Sequence, residues 1–285
     1  MLQPGTLAHH TIIITGGGTG LGRAMAEKVS ELGANVVIAA RNLERLETVA
    51  REISGKTGGQ VLAVAVDVRD PDACHAMVRA AIERFGSVEG LVNNAAGNFL
   101  VTAEDLSPGG FDAVVGIVMK GSFNATQAVG RAMIEHKRGG SILNILTTYA
   151  WTGSAFVLPS AMAKAGVLAM TRSLAVEWGS AYGIRVNAIA PGPFKTEGAW
   201  NALMPDPSLE AKALERIPLG RFGQPEELAN LAAYLLSPYS AYVNGDCITI
   251  DGGEWLMGAG SFSSLTEHPR EQLKQVFSAM RGPKR

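Results

Sequence analysis

The feature that most limits the fold of this 285-residue chain is an alternation of short β-branched runs with longer segments of helical period. The apolar runs cover residues 11–15, 35–39, 61–66, 90–93, 141–146, 185–188 and 247–250. Several are apolar on both faces, as in strands that helices cover on both sides of a parallel sheet. The segments between them, such as 20–32, 42–54 and 70–85, are long enough for crossover helices. The pattern predicts an α/β fold, a doubly wound parallel sheet of seven strands with helices on both faces.

Two segments depart from this alternation, although no repeat, linker or low-complexity tract divides the chain. Residues from about 194 to 218 carry several prolines and Gly198, which predicts a mobile substrate lid. Residues 254–285 are more polar, which predicts a tail on the surface or against a neighbouring subunit. We therefore expect residues 1–285 to form a single domain.

The composition excludes several classes of protein. Hydrophobic residues make up 47% and charged residues 18%, the opposite of the balance in disordered chains. Lys and Arg number 25 against 26 for Asp and Glu, so the basic excess of a nucleic-acid binder is missing. The longest charge-free stretch, residues 139–163, contains Gly153, Pro159 and several polar residues, so we expect no membrane span and a soluble protein.

Cysteines and histidines indicate the compartment and argue against a metal site. Cys74 and Cys247 cannot build a disulfide framework, and the N-terminus lacks the pattern of a secretory signal. We therefore expect a cytoplasmic protein. The five histidines are scattered without metal-ligand spacing, so we expect no bound metal.

A glycine-rich turn follows the first apolar run and opens a helical segment. It reads TGGGTGLG at 15–22, with Gly16, Gly20 and Gly22 placed so that the backbone can approach a pyrophosphate. The helix that begins there offers free N–H groups and a partial positive charge to the anion. A P-loop is excluded because Arg23, not lysine, follows Gly22. The turn predicts a dinucleotide site.

The end of the second strand distinguishes NAD from NADP. An NAD site needs a carboxylate there to accept from the ribose 2′-hydroxyl, whereas an NADP site supplies a cation for the 2′-phosphate. The sequence at 38–42 is IAARN, which contains no carboxylate and offers Arg41. A guanidinium can make two parallel bonds to a phosphate. The sequence therefore favours NADPH.

Further motifs identify a family. The sequence NNAAG at 93–97 ends the fourth run, Asp67 follows the third, and PGP at 191–193 follows the sixth. Together with the glycine turn, these motifs resemble the short-chain dehydrogenase/reductase family over residues 8–253. The resemblance implies a Rossmann fold with its core in that range.

The catalytic motif of that family is altered in this chain. The family uses a Tyr-x-x-x-Lys pair for proton transfer, but here the pair is Ser160 and Lys164, and Val118 stands where a catalytic Asn is usual. Three explanations remain: an NADP-binding scaffold without activity, a carbonyl reductase with a weakened site, or an enzyme whose acid lies elsewhere. Tyr149, just after the fifth strand, favours the third.

A closer resemblance, to the 2,4-dienoyl-CoA reductases of this family, extends over five segments. They are NNAAGNF, PSAMAKAGVLAM, LAVEWG, APGPFKTEGA and GRFGQPEELANLAAYL. In that subfamily an Asn and a displaced Tyr hold the thioester oxygen, a Ser replaces the usual Tyr, and the Lys is kept. The resemblance implies catalytic roles for Asn98, Tyr149, Ser160 and Lys164.

The same resemblance implies the binding residues. Cofactor contacts are expected at Thr15, Gly16, Gly18, Thr19, Gly20, Leu21, Gly22, Arg41, Asp67, Val68, Asn94, Ala95, Lys164, Pro191, Gly192, Pro193 and Phe194. Substrate contacts are expected at Arg69, Phe99, Ser107 and Asn201.

The chemistry of a dienoyl thioester is consistent with the altered motif. Ketone reduction needs a proton at the oxygen next to the carbon that receives hydride, which Tyr-x-x-x-Lys supplies. A 2,4-dienoyl thioester receives hydride at the remote C5, and the charge moves to the thioester oxygen as a dienolate. That oxygen needs preorganised donors more than a proton relay.

The sequence therefore predicts an NADPH-dependent reductase that converts 2,4-dienoyl-CoA to 3-enoyl-CoA in the β-oxidation of unsaturated fatty acids. A reductase of 2-enoyl-CoA or 3-oxoacyl thioesters, or an inactive NADP-binding scaffold, are the alternatives. A scaffold would have no reason to retain donors at Tyr149 and Asn98. The family resemblance also implies a homotetramer in which helices near 108–137 and 155–181 pack between subunits, with no nucleic-acid or membrane partner.

Overall fold

Seven strands form one parallel sheet in the computed structural model, which describes residues 2–196 and 207–281. The order across the sheet is β3-β2-β1-β4-β5-β6-β7. The strands are β1 (Thr11–Thr15), β2 (Asn35–Ala40), β3 (Val61–Ala65), β4 (Gly90–Asn93), β5 (Gly140–Ile145), β6 (Ile184–Pro191) and β7 (Cys247–Ile250). The predicted doubly wound sheet is confirmed.

Helices cover both faces of the sheet. They are α1 (Gly20–Glu31), α2 (Leu43–Thr57), α3 (Pro71–Phe85), α4 (Pro108–Val115), α5 (Gly121–His136), α6 (Tyr149–Thr152), α7 (Leu158–Tyr182), α8 (Pro207–Glu215), α9 (Pro225–Leu236), α10 (Glu254–Ala259) and α11 (Arg270–Met280). Helices α1, α2 and α9 pack on one face, and α3, α5 and α7 pack on the other. A π-helical turn, Gly116–Lys120, joins α4 to α5.

Local signals in the sequence set the helix ends. The Asn42 side chain accepts a hydrogen bond from the Arg45 N–H and so caps the start of α2. That helix ends at Gly58, which has a φ of 72° and adopts the left-handed conformation that glycine tolerates. At the start of α3, the Asp70 carboxylate accepts from two backbone N–H groups. These caps place the loops that follow β2 and β3 beside the glycine turn.

Two predicted boundaries were too short. The sixth strand continues to Pro191 instead of ending at 188, because Ala188–Pro191 pair with Cys247–Ile250 of β7. Pairing with a neighbouring strand overrides the weak strand preference of Ala and Pro. The second helix continues to Thr57 because Gly55 is tolerated in its interior and Gly58 forms its C-terminal cap.

The two irregular segments contain more helix than their composition indicated. The predicted lid, 194–218, includes α8, and Ile217 at its end is buried. Asn201, predicted to contact substrate, lies outside the described residues. The tail forms α10 and α11, and Leu273 of α11 is buried.

The strand order creates the crevice in which a ligand can bind. Strand β1 lies between β2 and β4, so the chain winds in opposite directions on the two sides of it. Ligands of doubly wound sheets bind outside the carboxyl ends of the strands at such a switch point. Here the ends of β1, β4 and β5 define it.

Candidate active site

The glycine turn after β1 is packed directly against the end of β4. The Asn94 amide donates to the carbonyls of Thr15 and Gly16, both at 3.1 Å. A Cβ at Gly22 would lie 2.2 Å from the Gly16 carbonyl oxygen, closer than any real Cβ contact. Glycine is therefore required at Gly22 for the turn to close, and Gly16, with a φ of 67°, is in the left-handed region.

Thr15 supports this turn from behind. Its hydroxyl donates to the Val92 carbonyl at 3.3 Å and accepts from the Asn94 and Ala95 N–H groups, both at 3.1 Å. The side chain predicted to contact the cofactor is thus occupied in joining β1 to β4. It contributes to the site by fixing the position of the turn.

A cleft of about 520 Å³ lies in front of the turn and collects most of the predicted cofactor residues. Its lining includes Gly16, Thr19, Gly20, Leu21, Gly22, Arg41, Asp67, Val68, Asn94, Ala95 and Lys164. Gly18 lines a neighbouring polar pocket, and Pro193 and Phe194 line another beside the end of β7. Pro191 is the last residue of β6. Gly192 follows it, and the Gly192 N–H donates a hydrogen bond to the Ile250 carbonyl of β7.

Sequence reasoning missed several residues that line the cleft, among them the polar residues Arg45 and Thr196. Arg45 lies in the first turn of α2, shortly after Arg41, and a second cation so close to the end of β2 is a signal that could have revealed it. Thr196 lies against Gly20, at 3.3 Å from the position of a Cβ there, and only the fold brings these two residues together.

Asp67 and Arg69, predicted as cofactor and substrate contacts respectively, form an ion pair. Arg69 Nη2 lies 2.5 Å from Asp67 Oδ2, and Arg69 Nε lies 2.9 Å from Oδ1. Hydrogen bonds from Arg69 lower the pKa of the Asp67 carboxyl group to about 2. The Arg69 stem lies beside Gly116, 3.5 Å from the position of a Cβ there. The two predicted contacts are therefore coupled.

Three of the four predicted catalytic residues meet at the end of the sheet. The Tyr149 hydroxyl oxygen lies 3.1 Å from Ser160 Oγ. The same tyrosine oxygen accepts a hydrogen bond from Asn98 Nδ2 at 3.5 Å. Within the part of the chain that the structure describes, Asn98 Oδ1 is buried and has no hydrogen-bond partner. A buried unpaired polar atom is uncommon in folded proteins, and this amide oxygen is free to accept a hydrogen bond from a further donor.

Lys164, the fourth, lies one helical turn after Ser160 in α7. Its side chain is buried, lines the cleft and donates to the Ile145 carbonyl at the end of β5. Burial lowers the pKa of the ammonium group to about 8, because a charged group loses its hydration there.

The π-helical turn Gly116–Lys120 contains the position of the missing Asn. Val118 is buried there with Val114 and Ala163, the residue before Lys164. An apolar contact between the π turn and α7 thus replaces the polar side chain of the family motif. Lys120 lies on the outer surface, beside Met119 and Phe123.

Three of the four predicted substrate residues lie along α4. The Ser107 hydroxyl caps its start by accepting from the Gly110 N–H at 3.1 Å. The Phe99 ring lies against the same glycine, 3.1 Å from the position of a Cβ there. With Arg69 beside Gly116 at the other end, three predicted substrate residues follow one short helix.

In the described ranges, 2–196 and 207–281, every helix is too short or too polar to span a bilayer. No group of three or more His, Cys, Asp or Glu side chains in these ranges is arranged to hold a metal ion.

A parallel sheet of this order, with a glycine turn at its switch point, defines the class of dinucleotide-binding α/β proteins. Residues 16–254 match a family model described as enoyl-(acyl carrier protein) reductase. The chain belongs to the short-chain dehydrogenase/reductase family, and it is an oxidoreductase.

Curated relatives agree on a substrate class but differ in product. A Bacillus subtilis protein named "Probable 2,4-dienoyl-CoA reductase, (2E)-enoyl-CoA-producing" is 51% identical over 245 residues, which cover 86% of this chain and 96% of the relative. A Caenorhabditis elegans protein named as a probable (3E)-enoyl-CoA-producing 2,4-dienoyl-CoA reductase is 44% identical over 266 residues, covering 92% of this chain and 85% of the relative.

Solved structures are similar over most of the chain. A short chain dehydrogenase from Bacillus anthracis is 47% identical with a TM-score of 0.80, covering 87% of this chain and 97% of that one. A gluconate 5-dehydrogenase from Burkholderia cenocepacia, in complex with NADP and tartrate, is 33% identical with a TM-score of 0.83, covering 88% and 96%.

Proposed function

We propose that this protein is an NADPH-dependent reductase of 2,4-dienoyl-CoA thioesters that yields 3-enoyl-CoA in the β-oxidation of unsaturated fatty acids. The cluster of Tyr149, Asn98 and Ser160 is the observation that carries the proposal. It gathers hydrogen-bond donors beside the cleft in a chain that lacks the usual Tyr-x-x-x-Lys pair. The names of the two curated relatives support the same substrate class.

Tyr149 and Asn98 hold the thioester oxygen in this proposal. When hydride arrives at C5, negative charge moves through the conjugated chain to that oxygen. Donors that are already in place stabilise such charge without reorganisation, because they do not have to turn toward it during the reaction. The phenol O–H and the amide N–H are both donors of this kind.

Ser160 orients the tyrosine. When the Ser160 hydroxyl donates to the Tyr149 oxygen across the 3.1 Å contact, the phenolic proton is free to point at the substrate. The small serine also leaves room for a flat acyl chain where the family has tyrosine. Lys164 holds the nicotinamide ribose and brings positive charge to the buried end of the cleft.

The residues of the cleft suit a dinucleotide phosphate. A Cβ at Gly16 or Gly22 would collide with the Asn94 side chain behind the turn, so the two glycines let the turn close and present its backbone to a pyrophosphate. Arg41 and Arg45 bring two cations to the end of the cleft where a 2′-phosphate is expected. When bound, NADPH supplies the hydride.

The position of protonation decides the product. A proton added to the dienolate at C2 gives the 3-enoyl thioester, and one added at C4 gives the 2-enoyl thioester. We propose C2, with the proton coming from water or a nearby acid, because Tyr149 and Asn98 keep the charge at the thioester carbonyl, next to C2. The two relatives are named for different products, so product analysis is part of the test.

We also propose a homotetramer. An apolar groove on the outer side of α5 and α7 is lined by Met119, Phe123, Val167 and Met170, and the Phe123 ring is half exposed. A second copy of the chain would cover this face. A cytoplasmic location stays a prediction.

The test of the proposed activity is NADPH oxidation with 2,4-hexadienoyl-CoA, run beside crotonyl-CoA, acetoacetyl-CoA and a control without thioester. We expect turnover of the dienoyl thioester far above that of the other two. Preference for crotonyl-CoA or acetoacetyl-CoA would favour the corresponding enoyl or oxoacyl reductase. NADPH binding without turnover of any thioester would favour the inactive scaffold.

A further inference from the structure

We infer that Trp255, in the tail, is a positioning residue that holds the helix carrying Tyr149 in place by packing against Trp151. The inference rests on the proposed function, because it concerns how the tyrosine of that site is fixed. Trp255 lies one residue beyond the part of the chain that matches the family model.

The Tyr149 helix needs support from outside. Helix α6 has only four residues, Tyr149–Thr152, and isolated helices shorter than about 12 residues are marginal in water. Ala150 packs into an apolar cluster with Leu168 of α7, while Trp151 and Thr152 are exposed. Gly153, with a φ of 72°, ends the helix at once.

Trp151 receives that support from the tail. Its ring centroid lies 6.1 Å from that of Trp255, and the two ring planes are at 89°, the edge-to-face arrangement that aromatic pairs favour. Residues two apart on a helix point in different directions, so Trp151 and Tyr149 do not face each other. The tail therefore packs against α6 on a side other than that of the tyrosine hydroxyl.

The turn that presents Trp255 is itself well fixed. The Asp251 carboxylate accepts from the Gly253 N–H at 2.8 Å and from the Trp255 N–H at 2.9 Å. Gly252 lies under Ile217, 2.7 Å from the position of a Cβ there, and its carbonyl accepts from the Leu219 N–H. The tryptophan is thus carried by a turn anchored to β7 and to the end of the predicted lid.

The first readout is amide hydrogen exchange, which needs no substrate. The Ala150 and Trp151 N–H groups bond to the Thr147 and Thr148 carbonyls, so their exchange reports the opening of α6. Trp255→Ala should speed this exchange about tenfold, the size expected for loss of an aromatic pair. Trp255→Phe should restore most of the protection, because a phenyl ring can keep the edge contact. Leu256→Ala, which removes an exposed side chain from the same helix, is the matched control and should change nothing.

The second readout is a double-mutant cycle with Tyr149. Trp255→Ala should lower kcat about tenfold with the KM for NADPH unchanged, and should add little in the Tyr149→Phe background. Unchanged exchange at Ala150, or an equal loss of kcat in both backgrounds, would overturn the inference. Should the wild-type enzyme fail to reduce 2,4-hexadienoyl-CoA, the proposed function fails, and the exchange data alone decide whether Trp255 holds the helix.

Discussion

The proposed catalytic role of Tyr149 depends on its hydroxyl group alone. The phenol oxygen lies within 3.5 Å of both Asn98 Nδ2 and Ser160 Oγ. An oxygen so placed can accept from one neighbour and donate its own proton to a substrate oxygen. The ring merely carries it, and this separation of ring from hydroxyl makes the proposal testable.

Tyr149→Phe removes the hydroxyl and keeps the ring. We expect kcat for 2,4-hexadienoyl-CoA to fall on the order of 10²–10³-fold, the usual cost of losing one donor to a developing oxyanion. The affinity for NADPH should not change. Tyr182→Phe, at the far end of α7, is the matched control. Full activity of the Tyr149→Phe enzyme would remove the hydroxyl from the mechanism.

Arg41→Ala should change the affinities for NADPH and NADH by different amounts. Loss of a charge-assisted contact to the 2′-phosphate should weaken NADPH binding roughly 10–100-fold and leave NADH binding nearly unchanged. Fluorescence titration with each cofactor measures both constants. Arg51→Ala removes an exposed arginine of α2, the helix that follows Arg41, and serves as a control. Equal weakening of NADPH and NADH would show that Arg41 does not contact the 2′-phosphate.

Lys164 should give the cofactor-free protein a specific pH dependence. Burial lowers the pKa of its ammonium group to about 8, below the value of ~10.4 expected in the unfolded chain. Between these values the unfolded state binds more protons than the folded state, so this group makes stability rise with pH. Below about pH 8 both states are charged and the cost of burying the charge is fully present.

The measurement is the difference in free energy of unfolding between wild type and Lys164→Met, by urea denaturation from pH 7 to 10. Wild type should gain stability relative to the variant as the pH rises from about 8 toward 10. Lys274→Met, at an exposed lysine, controls for the loss of a charge. A constant difference across this range would contradict the buried-ammonium assignment.

The resemblance to the 2,4-dienoyl-CoA reductases pointed to Asn98 and Tyr149, and the position of Tyr149 just after the fifth strand supported its assignment. Asn98 follows β4 and Tyr149 follows β5, and the structure brings them within 3.5 Å. The approach of Thr196 to Gly20 depends on tertiary packing and carries no sequence signal. The ion pair between Asp67 and Arg69 is local, but it lies in a loop without a periodic pattern.

At the scale of elements, the glycine turn is the least replaceable part. The turn closes only because Gly22 has no Cβ near the Gly16 carbonyl and the Asn94 amide. The turn is held in place by the hydrogen bonds that Asn94, the residue after β4, donates to the Thr15 and Gly16 carbonyls. Strand β1, the turn and β4 therefore act as one unit.

Gly22→Ala should abolish NADPH binding and lower the thermal midpoint, because the added methyl group would lie 2.2 Å from a backbone oxygen. Gly55→Ala, in α2, is the matched control. Nothing lies within 4 Å of the position of a Cβ there, so binding and the thermal midpoint should be retained. Isothermal titration with NADPH and a thermal melt test both variants. Normal binding by Gly22→Ala would refute the close approach on which the turn depends.

The strands and helices were predictable where periodicity and caps agreed. Strand β1 is buried at every residue, as its continuous apolar run indicates. The π-helical turn at Gly116–Lys120 was not predictable, because its sequence continues a helical pattern and the turn differs from an α-helix only in its hydrogen bonds. Helix α8 was missed since prolines near it indicated a loop.

At the scale of the whole molecule, the apolar groove of α5 and α7 should determine assembly. Phe123→Glu would place a charge on a face that a second subunit covers, so we expect smaller particles by light scattering at the same protein concentration. Arg51→Glu, on the opposite layer of the sheet, is the control and should keep the wild-type mass. A wild-type mass for Phe123→Glu would show that this face is not an interface.

The proposed reduction of a dienoyl thioester is tested most directly by finding which carbon of the substrate receives the hydride. The wild-type enzyme would be given 2,4-hexadienoyl-CoA and NADPH that carries deuterium at the transferred position, and the product examined by NMR. We predict deuterium at C5, a proton from water at C2 and a double bond between C3 and C4. Deuterium at C3 would mean that the donors at Tyr149 and Asn98 serve ordinary enoyl reduction, and it would contradict the dienoyl mechanism.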